Sequence, residues 1–349
     1  MRLVLPRQAH ALKTTACLGC LLLCLLAACS PIPLPSDLTS TPSPVPETAV
    51  PTRTSIPAAT VTPVATVLAA ITIPPATAIP TVTALPPNFW ETLPVIPIQI
   101  SQRVRQIYQN GLALGNNPHV FSRIGDCNSA APAFMVGFDG PYNLGTHTSL
   151  QPTIDYFQGS FKRPSLAAKA GLNSAGLLTT LWTGQQCQKD ESLLDCQYRL
   201  DRPSFAFIAI GTNEAYYVRT EPGTFERNMR LILDDTISKG IVPILGTKAD
   251  NVEGDGSINA TIARLAEEYQ VPLWNFWLAA QSLPGLGLVD PEHLNSVSYA
   301  NFTDFSIPNS LQHGVQMHNL TALQMLDFLR QQLVKTPAAE TTPSPTATP

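Results

Sequence analysis

The chain has 349 residues, 13% of them charged, 33 prolines and a formal net charge of −4. Neither that balance nor any run of Lys and Arg offers a nucleic-acid surface, so nucleic acid is excluded as a partner. Pro and Thr crowd the two ends and leave a body of roughly 250 residues, enough for one domain with a full core.

Arg2, Arg7 and Lys13 precede an apolar run from Leu18 to Ala28. That run is too short to cross a bilayer and suits a secretory signal peptide, residues 1–28. It ends Leu26-Ala27-Ala28-Cys29, which resembles the bacterial lipobox. The resemblance implies cleavage before Cys29, a lipid on its thiol, and a protein exported and anchored at the cell membrane or surface. Cys17, Cys20 and Cys24 would then leave with the peptide. The plainer alternative is an ordinary signal peptide whose cysteine is incidental.

After Cys29 the chain is Pro, Thr, Ser, Ala and Val as far as Pro87, with Asp37, Glu47 and Arg53 its only charges. Scattered prolines fix φ and remove backbone donors, and no amphipathic period survives. Residues 29–87 therefore read as a disordered, extended spacer, and residues 337–349 as a second Thr/Pro-rich tail of the same kind.

The body, residues 88–336, alternates strands and helices. Ile100, Val104, Ile107 and Tyr108 recur at helical spacing. Val120-Phe121-Ser122-Arg123-Ile124 then reads as a short buried strand, and Gly125-Asp126 as a turn that opens a helix at Cys127. Further strands are expected at Phe205–Ile210, Ile241–Gly246 and Val271–Phe276, and helices at Phe225–Lys239, Ser257–Tyr269 and about Asn319–Val334. Nearly continuous apolar strands between helices predict a parallel sheet covered on both faces, a three-layer α/β/α sandwich.

Cys187 and Cys196 bracket a polar loop, and an exported chain favours their pairing as a disulfide. Zinc is the alternative, but two thiols without a His at ligand spacing make a poor site. No phosphate-cradling Gly motif opens a helix after a strand, and nothing else points to a metal, nucleotide or redox cofactor.

Four blocks in order along the body resemble the SGNH branch of the GDSL hydrolases. They are Gly125-Asp126-Cys127, the stretch Gly171 to Thr179, Gly211-Thr212-Asn213-Glu214, and Asp290-Pro291-Glu292-His293. The resemblance implies a flavodoxin-like fold and hydrolysis of a carboxylic ester or thioester, with acylated carbohydrate or envelope material in its substrate range. It also implies roles: Cys127 at the nucleophile's position, His293 as base, Asp290 as its orienter, and Gly176 and Asn213 as oxyanion donors. Gly171 is a second choice for the glycine, and His318 for the base. The chemistry asks for these types independently, since acyl transfer needs a nucleophile, a base within reach and donors aimed at the developing oxyanion.

The family's serine is replaced by Cys127. Three readings follow: a working thiol whose pKa is lowered by a helix N-terminus and a nearby His⁺, a non-catalytic binding lipoprotein on a degenerate scaffold, or attack by Ser129 instead. In a variant of the second, Cys127 is bridged to Cys187 or Cys196.

Overall fold

The computed structural model describes residue 86 and residues 88–334. The expected signal peptide, the lipidation expected at Cys29, the expected spacer and the expected tail from 337 lie outside the described residues, Pro86 apart.

In chain order the main elements are α1 (Gln102–Ala113), β1 (Asn117–Gly125), α2 (Gln151–Tyr156), α3 (Ser174–Leu177), α4 (Leu193–Asp201) and β2 (Pro203–Ala209). There follow α5 (Thr224–Ser238), β3 (Val242–Gly246), α6 (Ser257–Tyr269), β4 (Leu273–Trp274), α7 (Phe276–Ala280) and α8 (Gly314–Leu333). The strands form one parallel sheet in the order β1-β2-β3-β4.

On the other side of β1 a fifth position is held by a single parallel bridge, Gly125 to Ala168. Gly125 N–H donates to Ala167 O at 2.8 Å and Lys169 N–H to Gly125 O at 3.1 Å. With that bridge counted as the second strand, the order is that of a flavodoxin-like doubly wound sheet.

Alternation along the strands separates the two covering layers. Phe121, Phe205 and Phe207 share a face with Trp274, and their rings interlock with Phe134, Phe157 and Phe161. Tyr108 of α1 stacks on Phe205, and Thr321 of α8 accepts from Trp274 Nε1 at 3.1 Å, so α1 and α8 cover this face. Ser122 points the other way and donates to Asp201 of α4 at 2.6 Å. Tyr198 of α4 bonds Thr236 of α5, and Glu226 of α5 pairs with Arg264 of α6, completing the second layer. The three-layer α/β/α arrangement expected from the sequence is the one found.

Two elements differ from expectation. The Val271–Phe276 strand is reduced to Leu273–Trp274. Asn275 is pulled out of the ladder, because its Nδ2 donates to Trp90 O and Leu93 O, each at 2.8 Å, and the chain turns directly into α7. The last helix starts at Gly314 rather than near Asn319. Its first N–H groups find partners on Asn295, whose Oδ1 accepts from Gly314 at 2.8 Å and whose carbonyl accepts from Val315 at 2.9 Å.

Cys187 and Cys196 form a disulfide, which fastens the loop after α3 to α4. Their sulfurs are bonded to each other, so no thiolate pair is left beside Glu191 to hold a zinc ion. Cys127 is free, which removes a bridge from it to either cysteine.

Candidate active site

The carboxyl ends of β1, β2 and β3 meet on one side of the sheet, where open α/β folds place their chemistry. At the end of β1 the packing is close. A Cβ on Gly125 would lie 2.2 Å from Ala209 O and 2.5 Å from Ser129 Oγ, so only glycine lets the turn close against β2. Asp126 follows, buried, and caps a three-residue 3-10 turn, Cys127–Ser129. Its Oδ1 accepts Asn128 N–H at 3.2 Å, and its Oδ2 accepts Thr212 N–H at 3.2 Å. Burial pushes the Asp126 carboxyl up to about 7, with Glu214 and Asp250 adding to the rise against the two N–H bonds.

Cys127 sits next, partly buried. Burial first, then the neighbouring Asp126, with Glu292 and Asp250 in the same sense and the Asn128 N–H against them, together push its thiol up to about 12. This overturns the expectation of an acidified thiol. The helix expected at Cys127 is one 3-10 turn, too short to carry a useful dipole, and the charges that raise the sulfur's pKa are carboxylates. That direction favours the neutral S–H over the thiolate at neutral pH.

Across from this turn, Asp290 organises its own loop. Its Oδ1 accepts N–H bonds from Glu292 at 2.9 Å and His293 at 2.8 Å, which hold the carboxyl below the usual range. His293 Nδ1 lies 2.8 Å from Oδ2 and 3.0 Å from Oδ1. A carboxylate there favours the proton on Nδ1 and leaves the Nε2 lone pair open. Both side chains are about half exposed, at 49% and 46%.

The His293 loop and the Cys127 turn are joined by Asn128. Its Nδ2 donates to Glu292 O at 2.9 Å, and its Oδ1 accepts Leu294 N–H at 3.1 Å.

His318, the second choice for base, is inside the core. Its ring lies 4.6 Å from those of Phe134 and Trp274 and 4.5 Å from Phe276. Burial pushes it down to about 3, so it stays neutral and out of reach of a substrate. Ser129 is likewise buried and donates to Ala209 O at 3.1 Å, which removes it as a nucleophile.

On the oxyanion side, Gly176 does not serve as expected. Its N–H donates at 2.8 Å to Asn173 Oδ1, the cap of α3, and the residue is buried beside Leu172 and Trp182. Gly171 is exposed, at φ +77°. Asn213 reaches Leu172 O with Nδ2 at 2.8 Å, which occupies one of its two amide hydrogens. Glu214, fully buried, accepts Ser174 N–H, so two successive residues after β2 grip the chain on either side of Asn173.

Behind the site runs a buried polar chain that the sequence did not reveal. Thr212 Oγ1 donates to Asp250 Oδ2 at 2.9 Å, and Lys248 Nζ pairs with Asp250 at 2.7 Å and Glu253 at 2.6 Å. Nothing local in the sequence marks these residues as buried. Asn128 was also missed, although an Asn one position past a candidate nucleophile is a side chain worth assigning.

The raised Asp126 carboxyl fixes the sign of a pH effect. Its folded value near 7 lies above the roughly 4 of an unfolded aspartate, so the folded state holds the proton longer. Stability should therefore fall as pH rises from about 4 to about 7 and level off above. Glu214, also raised by burial, acts in the same sense. Asp126→Asn should flatten the decline in melting temperature across that window; a slope equal to the parent's would contradict the buried, proton-holding carboxyl.

The sequence matches no family model and no curated protein. Among solved structures it is similar to a protein described as lipolytic and of the G-D-S-L family, from Desulfitobacterium hafniense DCB-2. The identity is 15% and the TM-score 0.36, over 59% of this chain and 99% of that one. It is also similar to a catalytic mutant of an acetylxylan esterase from Geobacillus stearothermophilus, again at 15% identity, with a TM-score of 0.37 over 59% of this chain and 93% of that one. Likeness at this level carries no residue role across.

Proposed function

We propose that the protein is an exported, membrane-anchored hydrolase of a carboxylic ester or thioester, with Cys127 as nucleophile, His293 as base, Asp290 as its orienter and Asn213 as oxyanion donor. The observation that carries the reading is the Asp290-held His293, on a loop hydrogen-bonded to the residue beside Cys127.

The neutral thiol sets the manner of attack. The S–H proton passes to His293 Nε2 as sulfur bonds to the carbonyl carbon, much as a serine hydroxyl would react. The carbonyl π pair moves to oxygen, where the second amide hydrogen of Asn213 can donate. Collapse breaks the bond to the leaving group, which takes the proton from His293, and an S-acyl thioester remains. Water then attacks that thioester with His293 again as base, releasing the acid and restoring the thiol. Acylated carbohydrate or envelope material fits a catalyst tethered through Cys29, and Cys29→Ser should release the protein from the membrane fraction.

A second reading, a binding lipoprotein without turnover, is favoured by the burial and then the acidic surroundings of Cys127, which raise its thiol's pKa.

Hydrolysis of short-chain chromogenic esters by the full chain separates the two. Parent activity should fall by about 10²- to 10⁴-fold in His293→Ala and to the buffer rate in Cys127→Ala. Cys127→Ser should stay active, because the site meets a neutral X–H in either case. His318→Leu, close to volume-conserving in the core, should stay within a few-fold of the parent. No parent turnover above the buffer rate on short acyl esters and thioesters would contradict the hydrolase reading.

A further inference from the structure

The hydrogen bonds that organise the His293 loop run in three directions. Asp290 closes the loop on itself through the N–H groups of Glu292 and His293. Asn295 fastens its far end, with N–H to Gly287 O at 2.8 Å and with its own oxygens on the start of α8. Neither set touches the end of β1, where Cys127 sits. Among the described residues, the hydrogen bonds that join the loop to the Cys127 turn are the two made by the Asn128 side chain.

Those two bonds have a particular placement. They take the carbonyl of Glu292 and the N–H of Leu294, the backbone groups on either side of His293. A peptide gripped at both flanks can neither slide nor rotate about the residue between. Asparagine suits this because its short amide offers a donor and an acceptor side by side, matching one carbonyl and one N–H. Asp lacks the donor, Ser cannot span both groups, and an apolar residue offers neither. The clasp is also fixed at its base, since Asn128 N–H is held by the buried Asp126.

We infer that Asn128 is the positioning residue that holds the His293 base against the Cys127 turn, an assignment that rests on the hydrolase reading. The clasp sets the approach of Nε2 to the sulfur, and it does so from the residue next to the nucleophile, so base and thiol move as one unit. A protein with a neutral thiol needs this more than one with a preformed thiolate. Proton transfer and attack must occur together, and a misplacement of about 1 Å costs on the order of 10²-fold in such steps.

The test uses the full chain with p-nitrophenyl acetate. Asn128→Ala should lower kcat by about 10- to 100-fold and leave KM within a few-fold, as expected for an interaction that matters in the transition state. Asn128→Asp keeps the size and the acceptor for Leu294 N–H but sets a carboxylate against Glu292 O, and should lose as much. In the His293→Ala background, Asn128→Ala should cost nothing further, because a residue acting through the base has no effect without it. An unchanged kcat in Asn128→Ala, or the same fold-loss with and without His293, would overturn the assignment.

Hydrogen exchange at the Leu294 amide gives a readout independent of turnover. It should be slow in the parent and at least about tenfold faster in Asn128→Ala, the loss of one protecting bond. Equal rates would overturn the clasp itself. If the parent hydrolyses no ester while the exchange difference is present, the clasp stands, and it is the hydrolase reading, with the assignment that rests on it, that falls.

Discussion

Asp126 closes β1 with a carboxylate that is 3% exposed, and much of the site depends on how that group is satisfied. Its two oxygens hold the N–H of Asn128 and of Thr212, which binds the turn after β1 to the loop after β2. Thr212 passes the connection to Asp250, and Lys248 gathers Asp250 and Glu253 beyond the end of β3. The carboxyl ends of three strands are thus laced by one buried polar chain. A half-satisfied network of this kind is costly, so its members constrain one another's positions. The same network is rich in acid, and this has a chemical consequence. Burial of Cys127 first, and these neighbouring acidic groups after it, favour the protonated thiol.

That coupling separates positioning from activation. Cysteine nucleophiles that work as thiolates sit in electropositive surroundings, which stabilise the anion before the substrate arrives. Here the turn is held by a buried carboxyl group, and in the proposed reaction activation falls to His293 at the moment of attack. On that proposal Asp290 fixes the tautomer of the base, and Asn128 fixes its loop. A serine in place of Cys127 would meet the same neutral-nucleophile surroundings, so the sulfur occupies a site whose electrostatics suit a hydroxyl.

What the sequence disclosed is what local pattern encodes. The apolar runs at Phe205–Ile210 and Ile241–Gly246 read as buried parallel strands because both of their faces are covered. The Asp290–His293 spacing is legible because the carboxylate reaches a partner three residues away. The shortening of β4 was not legible, since Asn275 is drawn out by carbonyls of residues 90 and 93, far away in sequence. The clasp by Asn128 is hidden for the same reason, its partners lying 164 and 166 residues on. The state of Cys127 depends first on its own burial and then on its acidic neighbours Asp126, Glu292 and Asp250, which no spacing reveals. The fate of Gly176 had a local signal: Asn173 three residues before it is a helix cap, and a cap takes the N–H at that position.

The central claim is that a neutral Cys127 thiol, paired with His293, attacks an acyl carbon. Mass analysis of the intact full chain, mixed briefly with p-nitrophenyl acetate and quenched in acid, tests it most directly. The account predicts one added acetyl group, mapped by proteolysis to the peptide containing Cys127, formed much more slowly in His293→Ala and absent in Cys127→Ala. An unmodified Cys127 in a protein that still turns over the ester, or acetylation at a rate indifferent to His293, would contradict it.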